Sequence, residues 1–461
     1  MNIETAKKAP LWWEAVAAVP TRPPLAADID VDVVIVGAGF TGLWCAYHLA
    51  SLDPGLRIAV VEATHVGFGA SGRNGGWCHA EYPLGHGQIA KDHGRDAALA
   101  QMRALFDSVD DVGRISAAER IDCDYAKGGV LTMARGGFQD RYAREEIEHS
   151  LSLGLTDDDV RYLDGPQARE MLNASGVVGG VWHAHGAAIH PAKLVHGLAS
   201  AAERRGVKIY EKSPVTEIVD GGVVTAGGRV NADMSVLATE GFGATLPGRK
   251  RTLVPLYSLM IATEPLSDAM WSDIGLVNRP TFGDFRNLII YGQRTADGRL
   301  AFGGRGAPYH FGSQIKDSFD FDDGVHTELV RVLTELFPQL GDIDITHRWG
   351  GALGVSRDWR PAVTIDRASG FAVAGGYVGD GVATSQLAGR TLAELIVDND
   401  TDRTQLPWVQ HSWPKWEPEP LRWFGINMGL KIAKAADRRE ERTGKPSRLA
   451  DLGNWLRGKR R

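Results

Sequence analysis

The sequence predicts an α/β fold in two domains, one built on a parallel sheet of the dinucleotide-binding type and one on an antiparallel sheet. Two continuous apolar runs, VDVVIV and RIAVVEA, are typical of parallel strands that are covered on both faces. Between them, GAGFTG follows a strand and opens a helical pattern, as in a Rossmann-like βαβ unit. Later stretches such as VTEIVDGGVVTAGG alternate around glycine turns, which favours antiparallel strands. The 461 residues exceed one ordinary core, so we expect two domains.

Three glycines, Gly37, Gly39 and Gly42, give GAGFTG its GxGxxG spacing. Gly37 permits a tight turn, Gly39 lets the backbone approach a pyrophosphate, and Gly42 lets the helix pack against the strand. Phe40 and Thr41 open that helix, whose N-terminal N–H groups and partial positive charge favour a phosphate group. The segment therefore predicts a bound dinucleotide.

Glu62 supplies the second feature of this motif. It lies at the end of the RIAVVEA strand, 20 residues after Gly42. Its carboxylate can accept hydrogen bonds from both hydroxyls of a ribose, and it would repel a 2′-phosphate. These features do not choose between FAD and NAD, so an NAD-dependent dehydrogenase stays an alternative at this point.

Two further glycine-rich segments favour FAD. Residues 67–76, GFGASGRNGG, lie just beyond the ribose carboxylate, where an extended FAD would continue towards its flavin ring. Residues 375–381, GGYVGDG, precede a second helical pattern. A helix N-terminus near the flavin would stabilise the negative charge that the ring carries when it is reduced. A nicotinamide cofactor needs neither segment.

Four segments of the chain resemble those of a known family: VVIVGAGFTGLWCAYHLA, VVEATHVGFGASGRNGG, VLATEG and AGGYVGDGVATSQLAGRTLAELI. They are similar to the D-amino-acid oxidase/glycine oxidase (DAO) class of FAD-dependent oxidoreductases, and most like its γ-glutamylputrescine oxidoreductase-like branch. The resemblance implies a Rossmann-like FAD-binding domain with an inserted α+β substrate domain that has an antiparallel sheet. We expect the FAD-binding domain at residues 28–85, 170–250 and 345–400, the substrate domain at 86–169 and 251–344, and a Trp-rich, basic C-terminal extension at 401–461.

The same resemblance implies which residues hold FAD. Gly37, Gly39, Gly42 and Glu62 keep the roles given above. Contacts along the ribityl–flavin half are expected from Ala70, Ser71, Arg73, Asn74, Gly75 and Gly76. Val215 is expected at the adenine, and Thr239 and Gly241 lie at the end of the VLATEG strand. Gly379, Asp380 and Gly381 are expected at the pyrimidine edge of the flavin.

Two of these residues depart from the pattern of the family. Asp380 stands where relatives often carry histidine, and a carboxylate at that edge would disfavour the anionic reduced flavin unless it points away. Arg73 stands where some relatives attach FAD through a histidine, and HRWGGALG lacks the cysteine that others use. We therefore expect FAD to be bound non-covalently.

The resemblance also implies the chemistry. The class oxidises a C–N bond by moving hydride from the substrate carbon to flavin N5, which gives an imine that hydrolyses. The implied substrate is a small-molecule amine or amino acid: γ-glutamylputrescine-like, N-alkyl or D-amino acid. Because the amine must be presented neutral, we expect positioning residues and no obligatory catalytic base. The candidates are Tyr257, Tyr291, Arg305 as a carboxylate clamp, and Trp349 as a wall of the flavin ring.

The electron acceptor is left open between O2 and another molecule. Relatives of the sarcosine oxidase branch carry a lysine beside flavin N5 that promotes the reaction with oxygen. The corresponding strand, GRLAFGG, has Ala301 at that position, so oxygen reactivity is not assured.

Composition limits the partners and the compartment. The net charge of −6 offers no broad basic field, so nucleic acid is not expected, although an FAD-dependent tRNA-modifying enzyme and a non-catalytic flavin-binding protein stay alternatives. Three cysteines without CxxC spacing fit a reducing cytoplasm. No apolar run reaches the length of a membrane span. The histidines of WHAHGAAIH are interpreted as surface or packing residues, so no metal site is expected.

The C-terminal extension differs from the rest of the chain. Residues 430–461 carry eleven Lys or Arg and four Asp or Glu, and they follow a segment rich in tryptophan and proline. A surface helix that its tryptophans dock against the acidic body is the favoured interpretation. Peripheral contact with an anionic membrane surface or a partner comes second, and contact with nucleic acid third.

Overall fold

The computed structural model describes residues 3–449, without the side chain of Arg305. The strands of this part of the chain are β1 (Lys7–Lys8), β2 (Ile29–Val36), β3 (Ile58–Val61), β4 (Trp77–His79), β5 (Val130–Arg135), β6 (Val160–Asp164), β7 (Val177–His183), β8 (Gly186–Ala188), β9 (Lys208–Tyr210), β10 (Val215–Val219), β11 (Gly222–Thr225), β12 (Gly228–Leu237), β13 (Val254–Thr263), β14 (Thr281–Asp284), β15 (Ile290–Arg294), β16 (Leu300–Arg305), β17 (Ile345–Val355), β18 (Ala362–Asp366) and β19 (Phe371–Gly375). The α-helices are α1 (Phe40–Leu52), α2 (His86–His93), α3 (Arg95–Ala118), α4 (Gly137–Leu153), α5 (Gly165–Met171), α6 (Pro191–Arg204), α7 (Asp268–Ile274), α8 (Asp323–Leu336), α9 (Gly381–Ile396) and α10 (Leu421–Thr443).

The first sheet contains the predicted parallel strands. Its order is β10-β11-β12-β2-β3-β9, and β19 also pairs with β12. Strands β2, β3, β9, β12 and β19 pair in parallel. Because parallel strands end at the same edge of a sheet, this edge brings together GAGFTG, Glu62, Thr239 and residues 375–381. The sheet thus places four separated segments side by side.

The second sheet is mainly antiparallel, in the order β1-β17-β13-β16-β15-β14-β5-β7-β6. A parallel and an antiparallel sheet in one chain agree with the predicted fold class. Two strands, β7 and β17, lie in segments 170–250 and 345–400, which the sequence analysis assigned to the FAD-binding domain, yet they pair with β5 and β13. Strand pairing is a tertiary choice that periodicity does not fix. The division into domains stays a proposal, with β7 and β17 moved to the second sheet.

The helices α1 and α9 pack together beside the parallel sheet. Almost every residue of α1 is buried, and the two helices share one hydrophobic core. Gly389 of α9 allows the close approach, because a Cβ there would lie 2.6 Å from the Cβ of Trp44. At their starts, the hydroxyls of Thr41 and Tyr377 are hydrogen-bonded at 3.0 Å. The beginnings of both helices therefore lie at the carboxyl edge of the parallel strands.

The C-terminal extension is docked on the body of the protein. Trp416 is buried, and its indole N–H donates to the carbonyl of Val355 at 2.9 Å. Asp437 of α10 accepts a hydrogen bond from the main-chain N–H of Leu288 at 2.9 Å. The last part of the predicted basic tail, residues 450–461, lies outside the described residues. Within residues 3–449, no helix combines the length and the apolar character that crossing a membrane requires.

Candidate active site

The GAGFTG turn has the geometry that its glycine spacing predicts. Gly37 has a φ of +106°, a conformation that L side chains rarely adopt. A Cβ on Gly42 would lie 2.0 Å from the carbonyl oxygen of Gly37, so glycine is needed for α1 to come this close to the turn. A Cβ on Gly39 would lie 2.9 Å from the hydroxyl oxygen of Ser71. The turn is therefore closed on the helix side and on the side of residues 70–76.

The first turn of α1 is tied to this neighbouring segment. The N–H of Phe40 donates to the hydroxyl of Ser71 at 2.8 Å. Ser71, which the sequence analysis placed along the flavin, thus holds the helix N-terminus against the glycine-rich segment. Thr41 uses its hydroxyl for the contact with Tyr377 described above. Ser71 and Thr41 thus hold the start of α1 in place, and we expect the backbone of the glycines to form the surface that meets the phosphate groups.

Glu62 follows β3 directly and lies beside the turn. Its carboxylate oxygens accept hydrogen bonds from the main-chain N–H groups of Ala38 and Thr64, each at 2.9 Å. Burial raises the pKa of Glu62, and these two hydrogen bonds oppose the rise. Each carboxylate oxygen can accept a further hydrogen bond, so the group can still receive ribose hydroxyls.

Residues 73–76 are held from one side by four hydrogen bonds. The indole N–H groups of Trp349 and Trp12 donate to the carbonyls of Arg73 and Asn74, respectively. The side-chain amide of Gln293 donates to the carbonyl of Gly75, and the main-chain N–H of Ile189 donates to that of Gly76. The Asn74 side chain also donates to the carbonyls of Ala70 and Ser71. Because four successive carbonyls are engaged by the protein, the backbone is fixed where Arg73, Asn74 and Gly75 line the cavity described next.

The side chain of Arg73 is buried, and its Nη1 atom pairs with Asp320, whereas its Nε atom has no hydrogen-bond partner among the described residues. Its guanidinium pairs with Asp320 at 2.5 Å and lies over the rings of Trp13 and Phe68 at 5.0 and 4.8 Å. Burial raises the pKa of Asp320 to about 6, although the charge of Arg73 lowers it. Arg73 thus stiffens the segment, and non-covalent attachment of FAD stays a prediction.

A cavity of about 590 Å³ adjoins the glycine-rich segment. It extends from residues 70–75 past the loop before α9 to strands of the second sheet and to α3 and α4. The residues of its wall that matter below are Arg73, Asn74, Gly75, His79, Glu81, Glu146, His183, Ser258, Met260, Asp284, Arg286, Tyr291, Gly379 and Asp380. The cavity therefore joins both expected flavin segments to the sheet on which the substrate residues are expected.

Asp380 faces a histidine at this cavity. Its Oδ1 atom lies 3.3 Å from Nε2 of His79, the last residue of β4. The other ring nitrogen, Nδ1, lies 3.5 Å from the carboxylate of Glu81. The carboxylate that departs from the family pattern is thus paired with a histidine from another element.

His79, Glu81 and Asp380 also form a group of metal-type donors in the described part of the chain, with atoms within 4.8 Å of one another. The two carboxylates, however, face different nitrogens of one imidazole ring. The histidine thus uses one nitrogen towards each carboxylate in this arrangement. The absence of a metal stays an expectation.

Of the predicted substrate residues, Tyr291 lies in the cavity wall. Its hydroxyl and that of Ser258 are hydrogen-bonded at 2.9 Å. Its ring covers Gly75, where a Cβ would lie 2.7 Å from the ring. Tyr291 therefore connects the expected flavin segment with the second sheet.

Tyr257 is not among the residues that line the cavity, and its substrate role stays a prediction. It points to the other face of β13 and packs edge-on against His310 and Phe319. Side chains alternate along a strand, so the neighbours Ser258 and Met260 face the cavity instead. The cavity therefore meets the face of β13 opposite to Tyr257.

Trp349 is not among the residues that line the cavity either, and its role as a wall of the flavin ring stays a prediction. It is buried behind the segment, with its indole on the carbonyl of Arg73, while Gly351 and Leu353 of β17 form the wall. Arg305 pairs with Ser258 in the register of β16 and β13, but its side chain lies outside the described residues. The carboxylate clamp at Arg305 therefore stays a prediction.

The remaining expected FAD residues border the parallel sheet. Thr239 lies beside the turn, since a Cβ on Gly37 would be 3.6 Å from its methyl group. Val215 begins β10 and packs against the sheet core, and Gly241 lies close to the backbone of β17. Gly379 has a φ of +110° and lines the cavity, and Gly381 begins α9. Contact of each residue with FAD stays a prediction.

Sequence analysis missed residues that act through tertiary contacts. Trp12 lies in a lead-in segment without periodicity, and Gln293 lies in a strand whose pattern marks only its faces. His79 follows GRNGG by three residues, which was the one usable signal, but β4 is too short to show which way its side chains point. None of these residues stands in a motif with fixed spacing.

The residues present fit an FAD molecule. The turn closes on the start of α1, Glu62 can accept ribose hydroxyls, and residues 73–75 adjoin a cavity that also reaches the start of α9. An adenosine, a pyrophosphate and a flavin would each meet groups of suitable chemistry along this path.

Comparison with known proteins identifies the family. The model of the FAD-dependent oxidoreductase family, DAO, matches residues 32–395. The probable oxidoreductase OrdL of Haemophilus influenzae is 32% identical over 82% of this chain and 85% of its own length. Gamma-glutamylputrescine oxidoreductase of Escherichia coli is 32% identical over 80% of this chain and 84% of its own length. The chain therefore belongs to the DAO family of FAD-dependent oxidoreductases.

Solved structures show the same fold. Glycine oxidase from Geobacillus kaustophilus superposes with a TM-score of 0.68 at 20% identity, covering 83% of this chain and 99% of that one. L-proline dehydrogenase from P. horikoshii gives a TM-score of 0.67 at 20% identity, covering 84% and 96%. The expected fold class, the FAD cofactor and an FAD-dependent amine or amino-acid oxidoreductase are thereby confirmed. The alternatives based on NAD or on nucleic acid are not favoured.

Proposed function

We propose that this oxidoreductase oxidises a C–N bond of an elongated, positively charged amine, with γ-glutamylputrescine-like amines ahead of N-alkyl and D-amino acids. The observation that carries the proposal is the charge of the cavity wall, where four carboxylates outnumber two arginines among the described side chains. A cationic substrate gains from this excess, and a substrate with a carboxylate near the reacting carbon does not.

The acidic groups lie at the open part of the cavity. Glu81 is exposed at 62% of its side chain and Glu146 at 37%. Glu146 also accepts a hydrogen bond from His183 at 2.9 Å. Together with Asp380 farther inside, these carboxylates attract a protonated amine towards the cavity.

The two arginines with described side chains in the wall are already paired. Arg73 is held by Asp320, and the guanidinium of Arg286 binds the carboxylate of Asp284 through two nitrogens at 2.7–2.9 Å. Neither is free to clamp the carboxylate of an amino acid. The likeness to the gamma-glutamylputrescine oxidoreductase of E. coli supports the same substrate class.

Bound FAD supplies the hydride acceptor of the reaction, flavin N5. The chain's own residues bind and orient the amine. The linked hydroxyls of Tyr291 and Ser258 offer donors and acceptors to polar groups of the substrate, and Met260 offers an apolar surface to its methylene groups. The imine that results from loss of hydride hydrolyses after it meets water.

An anaerobic bleaching screen tests the proposal. Purified holoenzyme is mixed with γ-glutamylated diamines, free polyamines, N-methyl amino acids or D-amino acids, and the loss of flavin absorbance is followed. We expect the γ-glutamylated and other elongated amines to bleach the flavin fastest. Fast bleaching by the amino acids alone would contradict the proposed substrate class, and bleaching by none would contradict the function.

Arg305 provides the matched control for this screen, because its side chain is the one predicted clamp that remains. The Arg305→Met variant should leave the rate with elongated amines nearly unchanged. A selective loss of rate with amino acids would show that the residue clamps a carboxylate and that the amino acids are the better substrates.

The electron acceptor is the second part of the proposal. Ala301, which stands in place of the lysine of the sarcosine oxidase branch, is buried among Met260, Ala262 and Trp349. With an apolar group at this place, we propose slow reaction of the reduced enzyme with O2 and faster reaction with another acceptor. Reoxidation of photoreduced enzyme by air and by a quinone dye measures the two rates. A faster rate with air would contradict this part.

A further inference from the structure

The pair of His79 and Asp380 is a feature of the cavity that the proposed function has not used. His79 comes from the end of β4 and Asp380 from the residue before α9. The 3.3 Å contact joins Oδ1 to Nε2, and both side chains are in the wall beside Gly75 and Gly379. The pair thus lies between the two segments at which the flavin is expected.

We assign the proton of the neutral ring to Nε2, because Asp380 is the nearer of the two carboxylates and Glu81 is the more exposed. When Nε2 carries the proton and donates it to the Asp380 carboxylate, Nδ1 keeps a free electron pair. Glu81 is the group nearest to that nitrogen, at 3.5 Å, and it is mostly exposed. An ammonium group that binds beside Nδ1 therefore meets a proton acceptor, with the negative charge of Glu81 close by.

Resting on the proposed function, we propose that His79, oriented by Asp380, is the base that takes the proton of the substrate ammonium before hydride transfer. The N–H bond of the ammonium breaks, its electron pair stays on the substrate nitrogen, and the proton moves to Nδ1 of His79. The neutral amine then loses hydride, with both electrons of its C–H bond, to the bound flavin. No further oxidant or reductant is needed for this half of the reaction.

The titration of His79 agrees with this role. Burial lowers the pKa of His79, but the hydrogen bond to Asp380 and the charges of Asp380 and Glu81 outweigh burial, so the pKa is raised overall. These two carboxylates, one from the start of α9 and one from the loop after β4, are the charged groups that act on the ring. The raised pKa means that the neighbouring carboxylates stabilise the imidazolium ion, which is the product of the proposed proton transfer.

A comparison of three variants tests the inference. His79→Gln keeps a donor near the position of Nε2 but removes the base. Asp380→Asn keeps the base but removes the negative charge that stabilises the imidazolium ion. His411→Gln is the matched control, since His411 pairs with Asp358 at 2.7 Å outside the cavity wall.

The readout is the rate of anaerobic flavin reduction per bound flavin between pH 6 and 9.5. We expect His79→Gln to lower the rate at pH 7 by roughly a hundredfold or more, with the remaining rate following the ionisation of the free amine. Asp380→Asn should shift the midpoint of the pH profile downwards. The control should keep the profile of the unaltered protein.

A second readout does not depend on turnover. In cofactor-free, 15N-labelled protein, the ring nitrogens of His79 should titrate with a midpoint above the usual value for histidine, and Asp380→Asn should lower that midpoint. An unchanged midpoint in Asp380→Asn, or an unchanged rate and pH profile in His79→Gln, would overturn the inference while the proposed function stands. If no amine reduces the flavin of the unaltered protein, the function fails first and the inference fails with it.

Discussion

The indole of Trp349 donates a hydrogen bond of 2.8 Å to the main-chain carbonyl of Arg73. Trp349 belongs to β17 of the antiparallel sheet, and Arg73 belongs to the glycine-rich segment that follows the parallel sheet. The bond therefore fixes the glycine-rich segment against a strand of the antiparallel sheet. It is one of four such bonds to successive carbonyls, which makes the segment a rigid surface for a flat ligand.

Removal of this bond should weaken FAD binding. In Trp349→Phe the carbonyl of Arg73 loses its donor inside the protein, at a cost of about 1 kcal/mol. If the segment must be ordered to bind FAD, this cost raises the dissociation constant about fivefold. Fluorescence titration of the cofactor-free protein with FAD measures the change.

Trp271→Phe is the matched control for that measurement. Trp271 is equally buried and donates to the carbonyl of Gly298 at 3.0 Å, but it lies outside the cavity wall. It should lower stability by a similar amount and leave the dissociation constant of FAD unchanged. Equal effects of both variants on FAD binding would show that the bond to Arg73 has no special role.

Acid precipitation tests the prediction that FAD is not covalently attached. Arg73 occupies the position of the tethering histidine, and its guanidinium is engaged by Asp320. The cavity wall therefore offers no reactive group at this point of the segment. After precipitation with trichloroacetic acid, the supernatant should contain all the flavin, and a yellow pellet would refute the prediction.

Gly42 should tolerate no side chain. Alanine is favoured over glycine inside a helix by about 1 kcal/mol, but here its Cβ would lie 2.0 Å from the carbonyl oxygen of Gly37. The clash is with backbone, which cannot rotate away, so α1 must move off the turn. Gly42→Ala should purify with little FAD and with a dissociation constant raised more than about tenfold.

Gly429→Ala provides the control for helix propensity alone. Gly429 lies in α10, and among residues 3–449 no atom outside its own stretch of helix lies within 4 Å of a Cβ placed there. This substitution should leave the FAD content unchanged and raise stability by up to about 1 kcal/mol. Normal FAD content in Gly42→Ala would contradict the packing argument.

The cofactor half of the site could be predicted from the sequence because its parts have fixed spacing. Gly37 and Gly42 work through contacts a few residues apart, and Glu62 is placed by the strand that it ends. In such a motif the local chain sets the geometry, so the residue types and their spacing are enough to predict the position of each group. The same reasoning placed residues 375–381 before a helix.

The substrate half could be predicted only in part, because it depends on which strands pair and which faces meet. Tyr257 and Ser258 are neighbours, and the choice between them depends on one register of β13 against β17. His79 and Asp380 are 301 positions apart and meet only through the packing of α9 on the rest of the fold. No local pattern contains that information.

Glu240 provides the last test, because it is a carboxyl group that the fold buries completely. It follows β12 in VLATEG and accepts a hydrogen bond from the N–H of Tyr377 at 3.1 Å, so it fastens the loop before α9 to the parallel sheet. Its second oxygen, Oε2, has no hydrogen-bond partner among the described residues. Burial raises the pKa of Glu240 to about 7, against the opposing effect of main-chain N–H groups.

The pH dependence of stability follows from this shift. The folded protein holds the proton of Glu240 more tightly than the unfolded chain, whose pKa is 4.5. The favourable contribution is therefore complete below about pH 4.5 and is lost as the pH rises through about 7, by on the order of 3 kcal/mol in total.

Glu240→Gln keeps a neutral side chain at every pH, so it should gain stability relative to the unaltered protein between pH 5 and pH 8. Urea unfolding of both proteins at the two pH values measures this gain, with the exposed Glu217→Gln as the control that should show none. A Glu240→Gln variant that is less stable at pH 8 than at pH 5, relative to the unaltered protein, would mean that the carboxylate is the form that the fold prefers.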